Sequence, residues 1–134
     1  MDATGNFPQA IKVMSQRVLL VEDEALIALD MHDVLTSAGF DVVGPAGDVA
    51  TASDLADRES LDCALLDVNL GGSLVWPVAQ RLRDRGVPFV LLTGYGASLQ
   101  IPTTFAGVRC LFKPVRSVEL LRALREPLGP PANT

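Results

Sequence analysis

With 134 residues, 49% of them hydrophobic and 20% charged, the chain has the length of about one domain and the apolar content for one filled core, which excludes wholesale disorder. Its formal net charge of -5 excludes a general nucleic-acid surface, because phosphate contacts need a basic stripe. No apolar run reaches the ~18 residues of a spanning helix, and Met1 to Gln16 lack the apolar centre of a signal peptide, so the expectation is a cytoplasmic protein with no membrane and no direct nucleic-acid contact.

In chain order, the apolar run from Arg17 to Val21 reads as a buried strand that ends at once in Glu22, Asp23 and Glu24. Ile27, Met31, Val34, Leu35 and Ala38 then recur at helical spacing as far as Gly39, a natural helix stop. A second unit follows, with a short strand from Phe40 to Gly44, closed by Gly44-Pro45, and a weak helix from Val49 to Ala56. Cys63 to Leu66 give a third strand ending in Asp67, Gly71-Gly72 break the chain, and helical patterning resumes from Leu74 to Arg83, with Trp76-Pro77 near its first turn. Phe89 to Leu92 form a fourth strand ending in Thr93, and Val108 to Phe112 a fifth ending in Lys113-Pro114. Ser117 can cap a last helix through Leu124.

Five strands alternating with helices predict an α/β doubly wound parallel sheet covered on both faces, since strands buried on both sides read as unbroken apolar runs. Ligands of such sheets bind at the carboxyl ends of the strands, and here those ends carry Glu22, Asp23, Asp67, Thr93 and Lys113. Three acids meeting at an apolar edge repel one another unless a cation sits among them. All-oxygen ligands beside one lysine favour Mg²⁺, with Asp23 a direct ligand. A carboxylate is also a nucleophile toward phosphorus, which makes Asp67 the acceptor candidate. Lys113 adds a separate hint: apart from Lys12, every other basic side chain is arginine, so a compact ammonium is wanted at that place.

These residues resemble the receiver domains of two-component signalling over about Arg17 to Leu128. The pattern is an acidic pair after strand one (Glu22, Asp23), an Asp after strand three (Asp67), a Thr or Ser after strand four (Thr93) and Lys-Pro after strand five (Lys113, Pro114). The resemblance implies a flavodoxin-like receiver fold with strand order 2-1-3-4-5, spanning 17–128 between tails at 1–16 and 129–134. It implies that Asp67 is phosphorylated by a histidine kinase or a histidine phosphotransfer protein, that Asp23 binds Mg²⁺ directly and Glu22 through water, and that Asn69 lends its backbone carbonyl. Thr93 and Lys113 would contact the phosphoryl oxygens, output would pass through a protein partner, and the Lys113-Pro114 peptide would be cis.

Two departures from that family stand out. The aromatic usually found three residues before the conserved Lys is replaced by Cys110, and the fourth strand instead resembles a mostly single-domain subgroup with a Phe-x-x-x-Thr-Gly-Tyr pattern, here Phe89 to Tyr95. Tyr95 is therefore expected to take over the switch role. Gly71 stands where a Pro is common, which loosens that loop, and the weak helix signal from Gly94 to Gly107 predicts a fourth helix that is short or mobile. The competing enzyme reading is a small Mg²⁺-dependent phosphohydrolase of the haloacid-dehalogenase type, but it expects a second Asp where Asn69 stands, and Asn cannot act as general acid or base. A flavin-binding module of the same fold lacks its phosphate loop, because acids follow strand one. His32 reads as an exposed helix residue, Trp76 as packing on the third helix, and Cys63 and Cys110 as free thiols that do not pair.

Overall fold

The computed structural model describes residues 15–94 and 101–126. Its core is a five-stranded parallel sheet. In chain order the elements are β1 (Arg17–Val21), α1 (Ala25–Ser37), β2 (Asp41–Ala46), α2 (Val49–Arg58), β3 (Cys63–Asp67), the short strands β4 (Asn69–Leu70) and β5 (Ser73–Leu74), α3 (Trp76–Asp84), β6 (Phe89–Thr93), β7 (Cys110–Phe112) and α4 (Ser117–Arg125). The large sheet runs β2-β1-β3-β6-β7, which is the expected order 2-1-3-4-5 once the β4-β5 hairpin is set aside.

The central strands are apolar because both their faces are covered. Every residue of β3 and β6 is buried. On one side Leu19, Val21, Ala64, Leu66 and Leu91 meet Ala52 and Ala56 of α2 and Val78, Ala79 and Leu82 of α3. On the other, Val18, Leu20, Leu65, Val90 and Leu92 meet Met31 and Leu35 of α1 and Leu120, Ala123 and Leu124 of α4. At the amino edge of the sheet Arg17 ties the α2-β3 connection to the start of β2, bonding to Ser60 O at 2.7 Å, Glu59 at 2.7 Å and Asp41 at 3.0 Å, while its own N–H donates to Asp62 at 2.7 Å.

Several boundaries differ from the sequence expectation, each for a local reason. The Gly44-Pro45 pair does not close β2. Leu19 pairs with Val43 and Val21 with Ala46, so Gly44 and Pro45 together oppose Leu20 in a bulge. A Cβ on Gly44 would stand 2.7 Å from Leu20 O, at a φ of 105°, so only glycine fits. Pro45 is tolerated because β2 is an edge strand. The prolonged strand then receives the Glu22 N–H on Ala46 O at 2.9 Å, fixing the first acid. Helix α2 runs on to Arg58, started by Asp48, whose side chain accepts from Thr51 N at 2.7 Å. Gly71 and Gly72 are the turn of the β4-β5 hairpin, with φ of 62° and 101°, as a two-residue turn with both centres left-handed requires. The next helix consequently starts at Trp76 rather than Leu74, with Pro77 in its first turn.

Ser117 is not the cap of α4. Arg116 occupies that position and no side chain caps the helix. β7 is only three residues long because Val108 N–H closes a turn on Phe105 O at 3.1 Å instead of joining the sheet. Among the described residues between β6 and β7 the one helical piece is a 3₁₀ turn, Thr103–Phe105; residues 95–100, where most of the short or mobile fourth helix was expected, lie outside the described residues. Tyr95 lies outside the described residues. The Lys113-Pro114 peptide is cis, as expected, and so is Gly44-Pro45.

Candidate functional site

The carboxyl ends of β1, β3, β6 and β7 meet at one crevice. Among the described residues the buried polar side chains are Glu22, Asp67 and Thr93, at 2%, 4% and 2% exposure, and all three lie at these strand ends. Asp23 is exposed at the mouth. Glu22, Asp23 and Asp67 each offer a carboxylate oxygen, and these oxygens lie within 4.8 Å of one another. The register brings them together: Val21 pairs with Leu66, so β1 and β3 deliver their first following or last residues side by side, and Asp67 pairs with Leu92 next to Thr93.

Lys113 reaches in from the end of β7. Its Nζ donates to Asp67 Oδ2 at 3.0 Å and stands 2.9 Å from Glu22 Oε1. That Glu22 oxygen has no aligned hydrogen bond, while its partner Oε2 accepts from Glu24 N–H at 3.1 Å. Asp67 Oδ1 accepts from Asn69 N–H at 3.2 Å. Thr93 is held by its backbone, whose carbonyl accepts from Lys113 N–H at 2.9 Å. The hairpin leans over the mouth, so that a Cβ on Gly71 would come within 3.7 Å of Asp23 Oδ2.

Burial raises the Asp67 pKa, the nearby Glu22 charge adds to the rise, and Lys113 and the Asn69 N–H act against it; the carboxyl ends at about 6. For Lys113, burial alone would lower the pKa, but Glu22 and Asp67 together outweigh it and hold the ammonium above its ordinary value. Three carboxylates face a single ammonium, and one buried carboxylate oxygen lacks an aligned donor. This donor set fits a hard divalent cation that takes oxygen ligands and keeps waters.

Of the other sequence candidates, Cys110 is half-buried, and it packs against the core on the α2-α3 side of the sheet. Cys63 is fully buried on the opposite side, and both thiols are free. His32 is half-exposed on α1 with Nδ1 4.0 Å from Asp33, away from the acidic site. Trp76 is indeed packing, though its partner was not foreseen. Its indole stacks on Phe105 with centroids 5.4 Å apart, Phe89 meets the same ring edge-on at 6.0 Å, and the Arg83 guanidinium lies 4.4 Å from the Phe105 centroid. Nothing in the spacing of Phe105, isolated among Thr and Gly, signals this role.

A parallel doubly wound sheet whose carboxyl edge gathers a buried Asp, an acidic pair, a Thr and a Lys defines a class of cation-dependent phosphoryl-handling α/β domains. The response regulator receiver domain model matches residues 18–125, and the chain belongs to that family. It is 33% identical over 93 residues to the transcriptional regulatory protein PdtaR of Mycobacterium tuberculosis, a match covering 69% of this chain and 45% of that protein. The chain thus spans about half the length of the curated relatives it matches. Among solved structures it is similar to SdrG from Sphingomonas melonis Fr1, at 37% identity and a TM-score of 0.72, covering 82% of this chain and 93% of that one. It is also similar to the receiver domain of the sensor histidine kinase PA1611 from Pseudomonas aeruginosa PAO1, which has a magnesium ion coordinated in its active-site cleft. That match is 28% identical, with a TM-score of 0.70, over 84% of this chain and 96% of that one. Nothing in these comparisons favours a phosphohydrolase.

Proposed function

We propose that the chain is a phosphorylation-dependent switch in which Asp67 accepts one phosphoryl group from a histidine kinase or a histidine phosphotransfer protein in the cytoplasm. The observation that carries this reading is the Asp67 carboxylate, 4% exposed yet placed between Lys113 and the acidic pair. Lys113 holds Oδ2 and the Asn69 N–H holds Oδ1, so the nucleophile is oriented before a donor arrives. A pKa of about 6 leaves it ionised at neutral pH. An oxygen of Asp67 attacks phosphorus, the donor's P–N or P–O bond breaks, and the leaving group departs with the bonding pair. Lys113 and the Thr93 hydroxyl then receive the phosphoryl oxygens. Mg²⁺, held by Asp23, Asp67 and the Asn69 backbone carbonyl with Glu22 acting through water, would supply the positive charge that lets two anions meet. The chain is not a turnover enzyme on this reading, and the receiver unit occupies 17–128.

Incubation with acetyl phosphate and Mg²⁺ tests it. One phosphoryl group per chain is expected on the parent and none on Asp67→Asn. Sustained release of phosphate from a generic phosphate ester would favour a hydrolase, and equal labelling of the Asn variant would remove Asp67 from the reaction.

A further inference from the structure

The β4-β5 hairpin stands at the mouth of the acidic crevice, and the chemistry proposed for Asp67 leaves unused the side chain that holds it there. The hairpin has two residue pairs, Asn69 with Leu74 and Leu70 with Ser73, and a ladder that short does not keep its shape alone. Its base is secured from below. Leu70 and Val75 are buried in the core on the α2-α3 side. Val75 N–H donates to Val68 O at 2.9 Å, and Val68 N–H donates to Leu92 O at 2.9 Å. Its tip has no such anchor: residues from Gly71 to Leu74 are exposed, and two successive glycines have the most conformational freedom to lose on ordering.

One side chain ties that tip down. Asn69 Oδ1 accepts from Gly72 N–H at 2.7 Å, while the Asn69 backbone N–H donates to Asp67 Oδ1 at 3.2 Å. A single residue thus grips the turn with its side chain and the phosphoacceptor carboxylate with its main chain. The residue type has a reason. Asp at this position would accept the same bond from Gly72, but it would add a fourth carboxylate to three that already face one ammonium. Ala would make no bond. Asn supplies the acceptor without the charge. We propose that Asn69 is a positioning residue: through Gly72 its side chain fixes the hairpin as a roof over the crevice, and so fixes the Asn69 peptide for a divalent cation held by Asp23 and Asp67. The proposal rests on the phosphoacceptor reading and deepens it, because that reading uses only the Asn69 backbone. Cutting the Gly72 bond frees the turn, and the Asn69 N–H and carbonyl then lose their fixed direction. Gly71, whose Cβ position lies 3.7 Å from Asp23 Oδ2, no longer covers that acid. Groups that orient the direct ligands of a metal in this way are typically worth about 10–100-fold in its affinity.

The test compares the full chain with Asn69→Ala and Asn69→Asp. Asn69 is exposed, so neither change disturbs the core, and the urea midpoint without metal verifies this. Hydrogen exchange of the Gly72 amide in the metal-free chain reads the hairpin. The rise of the urea midpoint with added Mg²⁺ gives the cation affinity, and ¹⁹F NMR reads bound beryllofluoride at saturating Mg²⁺. In Asn69→Ala the Gly72 amide should exchange about tenfold or more faster and Mg²⁺ should bind about tenfold or more weakly, with beryllofluoride still bound once Mg²⁺ saturates. Asn69→Asp should keep the Gly72 protection and bind Mg²⁺ at least as tightly as the parent. Asn and Ala are both uncharged, so the loss in Asn69→Ala is not a lost charge. Unchanged Mg²⁺ affinity in Asn69→Ala overturns the positioning role. So does weakened Mg²⁺ binding with Gly72 protection intact, which would mean that the side chain meets the cation directly. A parent that binds no Mg²⁺ also overturns it. If the expected Gly72 and Mg²⁺ changes occur but the parent binds no beryllofluoride, the positioning role is supported and the phosphoacceptor reading is overturned.

Discussion

Asp67 is the residue in which the chain holds an unfavourable charge for later use. Burial, reinforced by Glu22, lifts its pKa from 3.8 to about 6 against the pull of Lys113. The folded chain therefore binds this proton more tightly than the unfolded one, so stability declines as pH rises from about 4 through about 6, and the cost is fully present above that range. Roughly two pKa units correspond to about 3 kcal/mol as a ceiling. Asp67→Asn should thus stabilise the metal-free protein by about 1–3 kcal/mol near pH 8, with the gain vanishing near about pH 4. Urea denaturation at the two pH values, at constant m, checks this, and an Asn variant no more stable at the higher pH contradicts it. Added Mg²⁺ should raise the midpoint of the parent and leave that of the Asn variant nearly unmoved.

At the scale of elements, the bulge in β2 does what a straight strand cannot. By accommodating Gly44 and Pro45 opposite Leu20 it carries Ala46 to the Glu22 N–H. Gly44→Ala would press a Cβ onto Leu20 O and Ala46 N, at 2.7 and 2.9 Å, whereas Gly39, also at positive φ, has nothing within 4 Å. The first substitution should cost about 2–4 kcal/mol and the second about 1, and equal losses in chemical denaturation would show that the bulge is not tightly packed. The same element marks where the sequence could be read and where it could not. The five strands announce themselves because each is an apolar run ending in a polar group, and parallel pairing then places the site. Gly44-Pro45 and Gly71-Gly72 read as breaks, since glycine signals an unusual φ without saying whether the chain stops, bulges or turns back. Phe105 was invisible because its burial depends on α3, far away in sequence, and Ser117 failed as a cap because a side-chain hydroxyl does not determine where a helix begins. The convergence of Glu22, Asp23, Asp67, Thr93 and Lys113 at the strand ends was legible, whereas the direct approach of Lys113 to Asp67 and Glu22 was not, and Tyr95 lies outside the described residues.

Across the whole molecule, the sheet is a partition. Cys63 on β3 and Cys110 on β7 are separated by β6 and pack on opposite faces, about 10 Å apart where a disulfide tolerates about 7 Å. Burial pushes the Cys63 thiol up to about 12 and raises Cys110 as well, so oxidation of the native monomer should leave two free thiols by mass spectrometry, with Cys110 alkylated first. An intramolecular bridge would contradict the strand order. The same partition separates the face of α1 and α4 from that of α2, α3 and Phe105, and both faces converge only at the carboxyl edge that holds Asp67. The most direct test of the account is to phosphorylate the chain with acetyl phosphate, trap the acyl phosphate with borohydride and map the modified residue. The account predicts modification at Asp67 alone, dependent on Mg²⁺ and lost in chelator; modification at another residue, or labelling that persists without divalent ions, would contradict it.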